Sequence, residues 1–240
     1  MLTEYRSTNF DSRNGTPIRI LVMHYTGMQT GEAALQRLCD PASKVSAHYV
    51  VEEDGRVFSL VDEANRAWHA GKGWWRGLEN VNAASIGIEI VNPGHEFGYR
   101  PFPHAQMEAV ASLALEIVGR HGILPRDVIG HSDLAPERKE DPGELFDWQW
   151  LAEQGVGLCP KRIQDSGFGI RVFEESDETT IRALQQGLYD YGYGVPVSGH
   201  YCEVTRKTVI AFQRHFRPKL LSGIWDGECA AILAFLHSKV

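Results

Sequence analysis

The chain has 240 residues, 43% of them hydrophobic and 23% charged, which is the range of an ordinary folded protein with ample length for a packed core. A net charge of -7 argues against a nucleic-acid binder held by phosphate contacts, and leaves open neutral or zwitterionic ligands such as sugar-peptides. The first residues show no basic start followed by an apolar core of signal length. The run IRILVMHY is too short to span a bilayer and contains Arg19, so a protein without a membrane span is expected, cytoplasmic, or periplasmic or envelope-bound if the native N-terminus has been trimmed.

Pro17–Tyr25 is a compact apolar run rich in β-branched residues and reads as a buried strand. TGEAALQRLCDP has helical character and stops before Pro41. SAHYVVEEDGRVFSLV is two strand-like runs around Asp54-Gly55, a strong hairpin signal. Ser85–Asn92 reads as another strand. FPHAQMEAVASLALEIVGRHG places Met107, Val110, Ala111, Leu113, Ala114, Ile117 and Val118 at helical spacing and ends at Gly122, as a C-capped helix would. DVIGHSD is a short strand edge, and LFDWQWLAEQG a further helix. After a Gly-, Pro- and charge-rich stretch the pattern becomes helical. One helix starts after Asp177, a second is opened by Glu203 or Thr205 and stopped by Pro218, and a third covers WDGECAAILAFLHSKV. The expected class is α/β: a mixed central sheet flanked by helices over residues 1–157, a linker over 158–177, and a small three-helix module over 178–240.

Cys39, Cys159, Cys202 and Cys229 are far apart and form no Cys-x-x-Cys pair, which argues against a thiolate metal site and fits buried free thiols; disulfides stay open. The polar residues of interest lie at strand ends. His24 ends the first strand, His131 follows DVIG, and Asp141 comes ten residues later, before Pro142-Gly143. Two His and one carboxylate with one position open make a catalytic zinc set. Each also has an ordinary reading, the His as hydrogen-bonded structural residues and the Asp as a turn former, and His-x9-Asp alone is not a sharp metal signature.

VMHYTG, SAHYVVEEDGRV, AWHAG, SIGIEIVN and IGHSDLAPERKEDPG follow one another here in the order seen in type-2 N-acetylmuramoyl-L-alanine amidases, the AmpD- and AmiD-like group related to a phage lysozyme. The chain resembles that family from Pro17 to about Gly157. The resemblance implies zinc ligands at His24, His131 and Asp141, a proton carrier at Glu89 and an oxyanion-stabilising cation at Lys139. Some relatives use a Tyr before the hairpin His; Ala47 stands here, so the base role falls to Glu89. His48, Trp68, His69 and Ala70 are expected to contact substrate, and Trp74 and Trp75 either extend the cleft or pack in the core. The implied reaction is hydrolysis of the amide between the lactyl group of N-acetylmuramic acid, in anhydro or ordinary form, and L-alanine, in peptidoglycan recycling. A non-catalytic peptidoglycan receptor of the same fold is the rival; receptors typically lose a zinc ligand, and none is missing here. The partners expected are muropeptides or peptidoglycan fragments, with no nucleic acid, and the protein is expected to be a monomer.

IRALQQGLYDYGY, VSGHY and TRKTVIAFQRHF resemble the peptidoglycan-binding type-1 module, through Leu184-Gln185, Gly199 with Tyr201, and Phe212-Gln213. Cys202 and Glu203 depart from its usual pattern. The change of pattern predicts that a chain ending near Gly157 folds and acts on soluble muropeptides; the alternative is that the helices pack on the first unit, with Trp225 or Tyr201 buried between them.

Overall fold

The computed structural model describes residues 1–161, 171–173 and 176–239. Its elements in order are β1 (Phe10–Ser12), β2 (Ile20–Tyr25), α1 (Gly31–Cys39), β3 (Tyr49–Val51), β4 (Val57–Ser59), β5 (Asn65–Ala67), α2 (Val81–Ala84), β6 (Ser85–Ile90), α3 (Gly94–Phe97) and α4 (His104–His121). Then come β7 (Val128–Gly130), α5 (His131–Leu134), α6 (Trp148–Glu153), α7 (Glu178–Tyr191), α8 (Glu203–Phe216) and α9 (Gly227–His237). This is the mixed α/β architecture that the sequence pattern implies. Much of the expected linker falls on 162–170 and 174–175, outside the described residues. No helix among them is long and apolar enough to cross a membrane. All four cysteines are free.

Five strands form one sheet in the order β4-β3-β6-β2-β7, parallel except for β4, which pairs antiparallel with β3 through the Asp54-Gly55 hairpin. β1 and β5 form a separate antiparallel ribbon. As a central parallel strand, β2 is apolar on both faces, and Ile20 to Met23 are buried. Strand alternation then divides two cores. Leu21, Met23, Ile86, Ile88 and Ile90 face α4, whose Met107, Val110, Ala114 and Ile117 cover them. Gly122 ends α4 in the left-handed conformation.

The other face of the sheet packs against the C-terminal part of the chain. Ile20, Val22, Ile129, Trp75 and Leu134 share one continuous core with Leu188 and Tyr191 of α7, Tyr193 just after it, and Phe212 and Phe216 of α8. Trp75 meets Tyr193 edge-on at 5.3 Å, and His215 stacks on Trp148 at 3.9 Å. Backbone also joins the units, through Arg76 N–H to Gly192 O at 2.9 Å. Trp74 packs toward Tyr189 and Gly194. Both tryptophans therefore face the helices. Trp225 and Tyr201 are buried, but inside the module: Trp225 lies against Phe212, and Tyr201 Oη donates to Gly223 O.

Within the module the two glutamines of the resemblance have the same task. Gln185 Oε1 accepts from Gly199 N–H at 2.8 Å and Gln213 Oε1 from Gly223 N–H at 2.9 Å. Both glycines sit at positive φ, as tight turns require, and both glutamines are fully buried. These motif residues hold the module's loops from inside.

A large aromatic side chain buries roughly 150–250 Å², worth several kcal/mol at about 25 cal/mol per Å². A chain cut after Gly157 exposes several such groups at once. It is expected to express as aggregate or to lose cooperative unfolding, read by soluble yield and a thermal melt followed by circular dichroism. A sharp melt close to that of the full chain would restore the reading of a first unit that folds alone.

Candidate metal centre

The carboxyl ends of the parallel strands are where open α/β sheets place ligands. Here β2 ends at His24-Tyr25, and β6 runs beside it with Glu89 in register with His24. Facing residues of paired strands point to one side, so both lie on the face opposite α4. β7 ends at Gly130, and His131 opens the single turn of α5. The following loop returns so that Asp141 O accepts from Ser132 N–H at 2.9 Å, which fixes one candidate ligand to the backbone beside another.

His24 Nδ1 lies 3.0 Å from His131 Nδ1 and 2.9 Å from Asp141 Oδ2, and His131 Nδ1 lies 3.0 Å from the same oxygen. All three residues are buried. Tetrahedral bonds of zinc length would separate donors by about 3.3 Å, close to the separations here, so the three could hold a metal ion.

The remaining ring nitrogens show why the Nδ1 atoms are the free ones. His131 Nε2 is 2.9 Å from Ala70 O, which can only accept, so that nitrogen carries the proton. His24 Nε2 meets His69 Nδ1 at 3.0 Å; His69 Nε2 meets Ser85 Oγ at 3.1 Å, and Ser85 Oγ donates to Val81 O at 2.7 Å. The carbonyl at the end sets the direction: each member donates outward, and His24 Nδ1 keeps its lone pair. Burial, then His131, lowers the His24 pKa to about 4, and burial, then His24, lowers that of His69 well below its usual range. Burial pushes the Asp141 carboxyl up, but the adjacent His131 and His24 outweigh it and hold it far below the usual range. A neutral His24 beside an ionised carboxylate offers a cation a lone pair and a charge.

A cleft of about 320 Å³ opens over this cluster, lined among others by Tyr25, Arg37, Trp68, Glu89, His95 and Lys139. Glu89 Oε2 is buried and has no hydrogen-bond partner among the described residues. Burial, then the charge of Asp141, raises the Glu89 pKa well above normal, with Lys139 acting the other way.

Of the residues expected to contact substrate, Trp68 lines the cleft, and His69 lies at its floor as the partner of His24. Neither His48 nor Ala70 is among the residues that line the cleft. His48 is fully buried, its Nδ1 accepting from Gly87 N–H at 3.0 Å and its Nε2 lying 2.8 Å from Arg13. Ala70 is buried too and contributes its carbonyl to His131, not its side chain to the cleft. Ser85, which anchors His69, and Arg138, which donates to Ala70 O, were not identified from sequence. The apposition of the AWHAG and SIGIEI segments was the only available signal. Gly87 is a consequence of it: a Cβ there would sit 2.5 Å from His69 Cγ.

Residues 14–144 match the N-acetylmuramoyl-L-alanine amidase family and residues 177–233 a peptidoglycan binding domain. The chain is 38% identical to the N-acetylmuramoyl-L-alanine amidase AmiD of Escherichia coli over 92% of its own length and 83% of the relative's. It is 33% identical to the 1,6-anhydro-N-acetylmuramyl-L-alanine amidase AmpD of Haemophilus influenzae, over 62% and 91% respectively. A solved structure of E. coli AmiD with the substrate anhydro-N-acetylmuramic acid-L-Ala-D-gamma-Glu-L-Lys superposes with a TM-score of 0.80 at 35% identity, covering 97% of this chain and 98% of that one.

Removing an outer partner of a metal-binding His typically costs about 10–100-fold in affinity. His69→Ala and Gly87→Ala are each expected to weaken zinc binding by that order, measured by competition with a chromophoric chelator. Unchanged affinity in both would mean that the His24–His69–Ser85 row does not orient the ligand.

Proposed function

This chain belongs to the N-acetylmuramoyl-L-alanine amidase family, and we propose that it is a zinc-dependent hydrolase of the amide between the lactyl group of N-acetylmuramic acid and L-alanine. The observation that carries this reading is one constellation: three convergent donor atoms with an unpartnered Glu89 oxygen in the same cleft. A binding-only receptor has no need of a buried, unpartnered carboxylate beside a metal set. The substrate named for the AmiD complex supports the anhydro form of the sugar, and with it a role in turning over released wall fragments.

His24, His131 and Asp141 would hold zinc, which supplies Lewis acidity toward water and the scissile carbonyl. Glu89, with its raised pKa, accepts a proton from the attacking water and delivers it to the departing L-alanine nitrogen. Lys139, on the loop between His131 and Asp141, lines the cleft as a cation and offsets the negative charge that develops on the carbonyl oxygen. Trp68 offers an aromatic face to the sugar. Residues 1–157 carry this whole set. Residues 178–240 would add affinity for wall polymer by raising local concentration.

Metal analysis of the gently purified protein is expected to give one zinc per chain, lost in His131→Ala. Glu89→Gln should keep the zinc and the fold while slowing hydrolysis of an anhydro-muropeptide by about 10²–10⁴-fold. Product analysis by mass spectrometry identifies the bond cut, and near-normal turnover in Glu89→Gln would remove that residue from the mechanism.

A further inference from the structure

The loop that carries His131, Lys139 and Asp141 is held from behind by the C-terminal helices. Asp133, two residues after His131, is fully buried. Its Oδ2 accepts from Gly130 N–H at 2.8 Å, which closes the turn of α5 onto the end of β7 and fixes the direction in which His131 leaves the strand. The other two donors come from the module: Tyr193 Oη to Oδ1 at 2.8 Å, and His215 Nδ1 to Oδ2 at 2.7 Å. Burial, followed by Asp133 itself, pushes the Tyr193 phenol well above its usual range, so it stays protonated and donates.

Further contacts follow along one face of α8. Lys207 Nζ donates to Glu137 O at 3.1 Å, and Arg214 lies 3.5 Å from Glu140 Oε1 and 3.6 Å from Glu144 Oε2. Magnitudes rank these ties. Glu140 is exposed and the Arg214–Glu144 approach of 3.6 Å is too long for a hydrogen bond, so both pairs contribute little. A buried carboxylate with charge-assisted bonds is another matter, because losing a donor leaves buried charge unsatisfied. The coupling therefore resides at Asp133.

We propose that Asp133 is a positioning residue through which Tyr193 and His215 of the C-terminal module set the metal affinity of the His24–His131–Asp141 site. This rests on the reading of that site as a zinc centre. His131 Nδ1 is packed within 3.0 Å of both other donor atoms, so a small rotation of α5 alters the whole donor set. The module then acts on hydrolysis of every substrate, including fragments too small to reach it.

The test uses the full chain carrying Tyr193→Phe, which deletes one hydroxyl, or Asp133→Asn. Gln185→Ala is the control, since it loosens the module's own loop and touches nothing near α5. Zinc affinity is measured by chelator competition, the ligand geometry from the absorption of the cobalt-substituted protein, and kcat and KM on a small anhydro-muropeptide. Tyr193→Phe and Asp133→Asn are expected to weaken zinc binding about tenfold or more. They should also shift the cobalt bands and lower kcat more than they change KM. Gln185→Ala should lower the melting temperature with zinc affinity intact. The proposal is overturned if the two test variants lose thermal stability as the control does yet bind zinc like the unsubstituted chain. If Asp133→Asn does not fold, Tyr193→Phe alone decides. Failure of the unsubstituted chain to bind zinc would overturn the zinc reading and the proposal with it, and is recognised because it needs no substitution.

Discussion

The parallel register of β2 against β6 and β7 is the constraint on which the site depends. It sets His24 beside Glu89 and brings the end of β7 next to both. Side chains alternate along a strand, so a slip of one residue would turn His24 into the α4 core and bring Met23 to the cleft. The apolar halves of the strands prevent this. Ile86, Ile88 and Ile90 fit the face under α4, while Ser85, Gly87 and Glu89 are left for the other side. The order that buries the isoleucines is thus the same order that assembles the chemistry.

Much of this was legible in the chain itself. β-branched runs and helical spacing gave the strands and the long helices, and Asp177 and Gly122 marked helix ends because capping is a local property. The donor set was legible through five ordered motifs, since each ligand lies inside a segment with its own pattern. What covers an apolar face is not local. Trp75 reads equally as cleft wall or core, and only the approach of Tyr193 settles it. His48 and His69 look alike in sequence. His48 accepts the Gly87 N–H, while His69 packs over the Cα of Gly87 and reaches His24.

The C-terminal helices make a related point about motifs. Gln185 and Gln213 stand out by resemblance, yet each is fully occupied with a turn glycine inside its own module. The contacts the module makes with the first unit use other residues of the same segments, Tyr193 and His215, which are not among the matched positions. A signature can thus specify how a small unit folds and say nothing of what that unit leans on.

The row from His24 through His69 and Ser85 ends on the carbonyl of Val81. A carbonyl has no proton to return and no onward donor, so the row is a dead end for proton conduction. It insulates the metal set from the sheet side. Any proton released in the cleft has to be carried within the cleft, and the buried, unpartnered oxygen of Glu89 stands on that open side.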